Sequence, residues 1–173
     1  MRPSASSTTC LAFALATLVW VSPSHALERQ FRLGVDATGA MLSAPSGSAT
    51  GFGGGAHLAY GVNDWLNLEL MLAATHHGSA GATVTSATGA AMYAVDVIEW
   101  VPYFGIFAGG YHFFGTTPST TFGAGLALGL DYQFDPSFSV GAQLRLHEVF
   151  APDPYGATTY GTFGLRAEYV WGF

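Results

Sequence analysis

From Phe163 to Phe173 every second residue is apolar. Phe163, Leu165, Ala167, Tyr169, Trp171 and Phe173 share one side of an extended chain, while Thr162, Gly164, Arg166, Glu168, Val170 and Gly172 share the other. Successive side chains of a strand point to opposite faces, so this period of two is the signature of a β-strand with two unlike surroundings. The pattern recurs upstream in Phe138, Val140, Ala142, Leu144 and Leu146, and in Ala124, Leu126, Leu128, Leu130 and Tyr132. It returns in Leu66, Leu68, Leu70 and Leu72, in Ala56, Leu58, Tyr60 and Val62, and in Phe31, Leu33, Val35 and Ala37. Residues 91 to 98 read with Tyr93, Val95 and Val97 on the apolar side and Asp96 opposite. Tyr103 to Phe114 is apolar on both sides, and alternation assigns it no parity.

Turn-forming residues cluster at Asn63-Asp64-Trp65, at Glu99 to Pro102 and at Asp135-Pro136-Ser137. Counted from Glu28 through 64, 101, 136 and 173, they divide the chain into intervals of 36, 37, 35 and 37 residues. Each interval holds one hairpin, so the expected fold is all-β with eight antiparallel strands. Between the tight turns lie Gly-, Ser-, Thr- and Pro-rich segments at about 43–51, 76–89, 115–121 and 151–158, read as longer loops. Short turns at one end and longer loops at the other are the form of an up-and-down transmembrane β-barrel.

Composition decides between a membrane barrel and a soluble one. Half of the residues are hydrophobic and only 9% are charged, against the roughly 25% usual for a soluble domain. Each Arg within a strand (Arg32, Arg145 and Arg166) lies opposite the apolar side, as it must where an Arg facing lipid costs about 2–4 kcal/mol. A soluble lipocalin-like carrier, the alternative, would turn the Leu and aromatic side inward and offer water a surface of Gly, Ala, Ser and Thr. Aromatic residues also gather near strand ends: Tyr60, Trp65, Trp100, Tyr103, Tyr132, Phe134, Phe138, Tyr169 and Trp171 at the turn end, and Phe52, Phe122, Phe150, Tyr155 and Tyr160 at the other. Such girdles suit rings that prefer the headgroup level.

Residues 1–26 read as a secretory signal, with Arg2 at the start, an apolar run from Leu11 to Val21 and a small-x-small cleavage site at Ser24-His25-Ala26. The remaining residues, 27–173, are expected to form the barrel as one domain in the outer membrane of a Gram-negative cell. Cys10, the only cysteine, lies in the signal, so the exported part has neither a disulfide nor a thiolate metal site. It has no Lys and four Arg against eleven Asp and Glu, a formal charge of −7, which argues against nucleic acid as a partner.

With these strands, turns and the closing Trp171-Gly172-Phe173, residues 27–173 resemble the small outer-membrane barrels of the OmpA, OmpX and OmpW type. The resemblance implies that Tyr169, Trp171 and Phe173 form the signal read by the barrel-assembly machinery. Glu168 stands where that signal often has Gly.

The inward side would carry Arg32, Asp36, Glu69, Asp96, Asp131, Arg145, Arg166 and Glu168, with His57, Asn67, Gln133, Gln143 and His147 among them. Eight strands enclose only enough room for their own side chains, and buried charges must be paired. The expectation is therefore a lumen plugged by a salt-bridge network, in a monomeric, non-enzymatic barrel whose neighbours are outer-membrane lipid and lipopolysaccharide. The runner-up is a narrow channel for small solutes or cations, suggested by the inward Gly55, Gly61, Gly125, Gly129, Gly141 and Gly164. A lipid A-modifying enzyme is the third reading, since His147-Glu148 lies near the outer end of its strand. No His-x-Ser motif follows, however, and the two side chains diverge. His76-His77 lacks a third ligand for a metal, and no cofactor is expected.

Overall fold

A computed structural model describes residues 29–44, 47–95, 99–115, 118–150 and 157–172. It contains eight strands: β1 (Phe31–Ala44), β2 (Gly47–Gly61), β3 (Leu66–His77), β4 (Ala82–Ala94), β5 (Trp100–Phe114), β6 (Ser119–Asp135), β7 (Phe138–Phe150) and β8 (Ala157–Trp171). Each pairs antiparallel with its neighbours in sequence, and β8 returns to pair with β1, from Phe31 opposite Trp171 to Ser43 opposite Thr159. The result is a closed up-and-down barrel with no free strand edge, the form in which strands can satisfy every backbone group within lipid.

Two tight turns show why the sequence reverses where it does. The Asn63 side-chain oxygen accepts hydrogen bonds from the Trp65 and Leu66 N–H groups at 3.1 and 2.8 Å. Asp135 does the same for the Ser137 N–H at 2.7 Å. A short polar side chain thus takes over the backbone donors that the ladder releases at each bend. The segment read as a turn at Glu99 to Pro102 belongs instead to β5 from Trp100 onward. Pro102 fits there because β4 ends at Ala94 and the Pro102 carbonyl meets only the Val95 N–H just beyond it, where a missing donor breaks no ladder.

The segments read as long loops are shorter than their composition suggested. β1 and β2 stay paired up to Ala44 opposite Gly47, and β3 and β4 up to His77 opposite Ala82, with a single 3₁₀ turn at Gly78–Ala80 between them. The strands run to 12–17 residues, whereas about 9–11 tilted residues cross a bilayer. The surplus projects at the end opposite the tight turns. There neither face has to be apolar, so hydrogen-bonded strands carry Gly, Ser and Thr without the alternation that marks them inside lipid.

The outer wall is apolar, with Leu33, Leu70, Leu72, Ile106, Leu126 and Leu165 all exposed. At the turn end, aromatic rings touch in succession around the wall: Tyr60, Phe31, Trp171, Tyr169, Phe138 and Phe134, at centroid separations of 4.8, 5.7, 5.9, 5.2 and 6.3 Å. Trp100 with Tyr132, and Trp65 with Tyr93 and Phe104, extend the girdle. Two rings assigned to girdles belong elsewhere. Tyr103 and Tyr160 are buried inside the barrel, where their hydroxyls have partners that lipid would not supply. Tyr155, Val97, Asp96 and Phe173 lie outside the described residues.

Candidate functional site

The lumen is the only place where this chain concentrates chemistry among its described residues, and β5 governs its shape. Tyr103, Phe107 and Tyr111 point inward, separated by Gly105 and Gly109, while Phe104, Ile106 and Phe114 face out. This settles the strand whose parity alternation left open. Tyr103 lies across from Gly129 and Phe107 from Gly125 in the β5–β6 register. A Cβ on Gly129 would fall 2.2 Å from the Tyr103 ring, one on Gly125 2.5 Å from Phe107, and one on Gly123 2.8 Å from Tyr111. His57 likewise covers Gly34 and Met92 covers Gly105. Of the inward glycines that suggested gaps, Gly125 and Gly129 thus receive rings from the strand beside them, Gly55 the Met71 side chain and Gly141 the Asp131 carboxylate. Alternation of large and small inward residues, the pattern a tight barrel interior needs, was the signal in the sequence that could have oriented β5.

Below Phe107, toward the tight turns, lies a charged compartment. Arg166 donates from Nε to Asp36 at 3.3 Å, from Nη1 to the Tyr103 hydroxyl at 2.9 Å and from Nη2 to Glu69 at 3.1 Å, with Glu168 3.5 Å from Nη1. Arg145 donates to Gln143 at 2.8 Å, to Thr88 at 3.3 Å and to Glu69. Arg32 lies 3.7 Å from Glu168, which also accepts from Ser139 at 3.0 Å. These contacts join β7 and β8 to β1, β3, β4 and β5 across the lumen. Arginine suits the position because its planar fork can serve several acceptors at once.

His57, which alternation placed inside but did not link to a partner, joins the two halves of this network. Its Nδ1 is 2.7 Å from Asp36 and its Nε2 is 2.8 Å from Glu168. Carboxylates only accept, so both ring nitrogens donate and the ring is an imidazolium. Arg166 Nη2 lies 3.2 Å from His57 Nδ1, two cations held together by the carboxylates they share, Asp36 and Glu168. His57 and the three arginines thus share Asp36, Glu69 and Glu168 as acceptors. Among the described residues Asp131 makes no ion pair, and its Oδ1, like that of Asn67, is buried without a partner. Both residues line a cavity of about 20 Å³ beside Arg32 and Tyr103, room for about one water.

Above Phe107 the polar groups are largely neutral. Tyr111 and His147 Nδ1 share a hydrogen bond of 2.7 Å, and His147 Nε2 lies 3.5 Å from Thr162. Thr75 bonds the Tyr160 hydroxyl at 2.6 Å and His77 at 3.3 Å. Ala40, Val84 and Val149 pack on Tyr111 and Tyr160, with Leu42 and Phe113 against them, so an apolar cluster covers this layer.

The remaining candidates fall apart in space. His147 is inside, whereas Glu148 is outside and bonded to Thr159 at 3.2 Å. His77 is inside, whereas His76 faces out against Thr83 at 3.0 Å. Among the described residues no three His, Cys, Asp or Glu are placed to share a metal.

A family model described as the outer membrane protein beta-barrel domain matches residues 11–170. The chain belongs to that family. The barrel is accordingly a protein of the bacterial outer membrane. It is similar to Neisserial surface protein A, NspA, at 22% identity, over 83% of this chain and 97% of that one, with a TM-score of 0.74. It is similar to OprG from Pseudomonas aeruginosa at 13% identity, over 84% and 97%, with a TM-score of 0.59. The outer membrane enzyme PagL aligns at 16% identity, over 76% and 97%, with a TM-score of 0.53. At such identities the likeness is one of fold. No curated protein sequence matches the chain.

Proposed function

We propose that this is a monomeric, non-enzymatic outer-membrane barrel with a structural or surface-exposed role, whose lumen is closed by its own ion-pair network. The observation that carries the reading is Arg166, whose three guanidinium nitrogens are all engaged by Asp36, Glu69, Tyr103 and Glu168 within the lumen. Removing one member of such a buried set costs several kcal/mol, so the network resists the rearrangement that passage would need. Export through a cleaved signal ending at Ala26, insertion through an assembly signal at Tyr169, Trp171 and Phe173, and contact with lipid and lipopolysaccharide complete the proposal.

PagL shows that this fold can carry catalysis. The divergence of His147 from Glu148 favours the non-enzymatic reading, because a base and its orienting group must be within hydrogen-bond reach. Incubating the refolded barrel with lipopolysaccharide and weighing the product tests it; a changed mass would remove it.

The passage reading keeps one specific support: Asp131, which makes no ion pair among the described residues and lies beside the small cavity at the turn end. Planar-bilayer recording separates the two. A silent barrel is the expected result, whereas reproducible steps that change in Asp131→Asn would replace the plug with a cation path.

A further inference from the structure

We infer that the ring of Phe107 is the septum that keeps the two polar halves of the lumen from joining. Arg145 and His147 are consecutive inward residues of β7, both buried, yet no hydrogen bond passes between them. The Phe107 ring lies there instead, its centroid 5.0 Å from the Arg145 guanidinium carbon and 4.6 Å from the His147 ring. The bonds of the lower compartment run from Arg145 and Arg166 to Asp36, Glu69, Thr88, Tyr103, Gln143 and Glu168. Those of the upper one join Tyr111 to His147 and Thr75 to Tyr160. Neither set shares a bond with the other.

The position of the ring makes it hard to replace. Phe107 faces Gly125 across the ladder, and that partner has no side chain with which to fill the space. Truncating Phe107 therefore opens a gap much larger than the roughly 10–15 Å³ that admits one water. Arg145 and His147, which flank the ring, would line part of it, and a gap with polar walls wets where a wholly apolar one stays dry. Water there would connect the compartments, since an apolar constriction closes a pore by excluding water. In this account the ion pairs plug the lower compartment, and one ring keeps that compartment apart from the upper one.

The inference rests on the closed-lumen reading, and its test separates the two. Full-length mature barrel is refolded into liposomes carrying an internal pH-sensitive dye, folding is checked by the heat-dependent gel shift, and proton entry is followed after an acid jump. Wild type, Phe107→Leu and Val149→Ala, which truncates a buried side chain in the outer cluster, are expected to stay silent. Phe107→Ala, or Phe107→Thr where the alanine variant does not fold, is expected to gain proton flux. A folded Phe107→Ala that remains silent overturns the septum. So does flux from Val149→Ala or Phe107→Leu equal to that of Phe107→Ala, because loosened packing of any kind would then suffice. Flux from Glu69→Gln with a silent Phe107→Ala would leave the closure to the ion pairs alone and overturn the septum. Flux through wild type defeats the closed-lumen reading itself.

Discussion

Tyr103 and Gly129 face each other across the β5–β6 ladder so closely that a Cβ on Gly129 would lie 2.2 Å from the tyrosine's ring and hydroxyl. The hydroxyl placed there receives the Arg166 hydrogen bond of 2.9 Å, so the glycine fixes where an arginine of β8 can dock. Gly129→Ala is expected to push the ring aside and destabilise the barrel by about 1–3 kcal/mol, the usual cost of overpacking. Urea unfolding in detergent micelles, followed by tryptophan fluorescence, measures it. Gly110→Ala on the outer wall is the control, since its Cβ would meet nothing within 4 Å, and it should lose no stability. Equal midpoints for the two variants would show that the close approach carries no weight.

His57 joins Asp36 and Glu168 through its two ring nitrogens at 2.7 and 2.8 Å. In His57→Ala both buried carboxylates lose a charged donor, and the expected cost is about 3–5 kcal/mol, as for other buried pairs broken from one side. His112, half-buried and bonded to Thr120 at 2.7 Å near the outer rim, supplies the comparison. Its alanine variant should cost less than about 1 kcal/mol. A loss at His57 no greater than that at His112 would mean that water reaches the carboxylates and replaces the ring.

Arg166 serves recipients that lie in different directions, Asp36, Glu69, Glu168 and Tyr103. A lysine keeps the charge but gathers its three donors on one nitrogen, which cannot span that spread. Arg166→Lys is therefore expected to unfold at nearly the urea concentration of Arg166→Met, about 3 kcal/mol or more below wild type. Recovery of the wild-type midpoint by lysine would show that net charge, rather than the guanidinium fork, holds the lumen together.

How far the sequence could be read follows from where two unlike environments meet. Leu66 to Leu72 and Phe163 to Trp171 separate lipid from lumen, so their alternation reveals strand and facing together. Tyr103 to Phe114 could not be oriented because apolar rings line the lumen here as well as the wall; Tyr103, Phe107 and Tyr111 fill the space above the β6 glycines. Ser43, Ser48 and Thr83 rise beyond the bilayer, where the outer face meets water instead of lipid and the period fades although the hydrogen-bonded ladder continues. Arg32, Asp36, Glu69, Asp131, Arg145, Arg166 and Glu168 could be placed inside from parity alone. Their partners could not, because register across β8 to β1 and the reach of an arginine to a third strand are properties of the closed barrel. His57 shows this most plainly, since its two carboxylates come from strands at opposite ends of the chain.

Trp171 stacks on Tyr169 of its own strand at 5.9 Å and on Phe31 of β1 at 5.7 Å, across the seam where the last strand meets the first. A ring at that position contributes in two ways. Its pair contacts are worth about 0.5–1.5 kcal/mol each, and its place at the headgroup level anchors the strand that must close the barrel. Closure is the last pairing available, because it joins strands separated by nearly the whole chain, and such contacts form late. Trp171→Ala is therefore expected to slow folding into lipid vesicles more than it lowers final stability. Trp65→Ala, in the same girdle but beside Tyr93 and away from the seam, should have the smaller kinetic effect. The rate at which the heat-sensitive gel band appears decides between them. Equal rates would reduce Trp171 to one more interfacial ring and remove the argument that the end of β8 guides assembly.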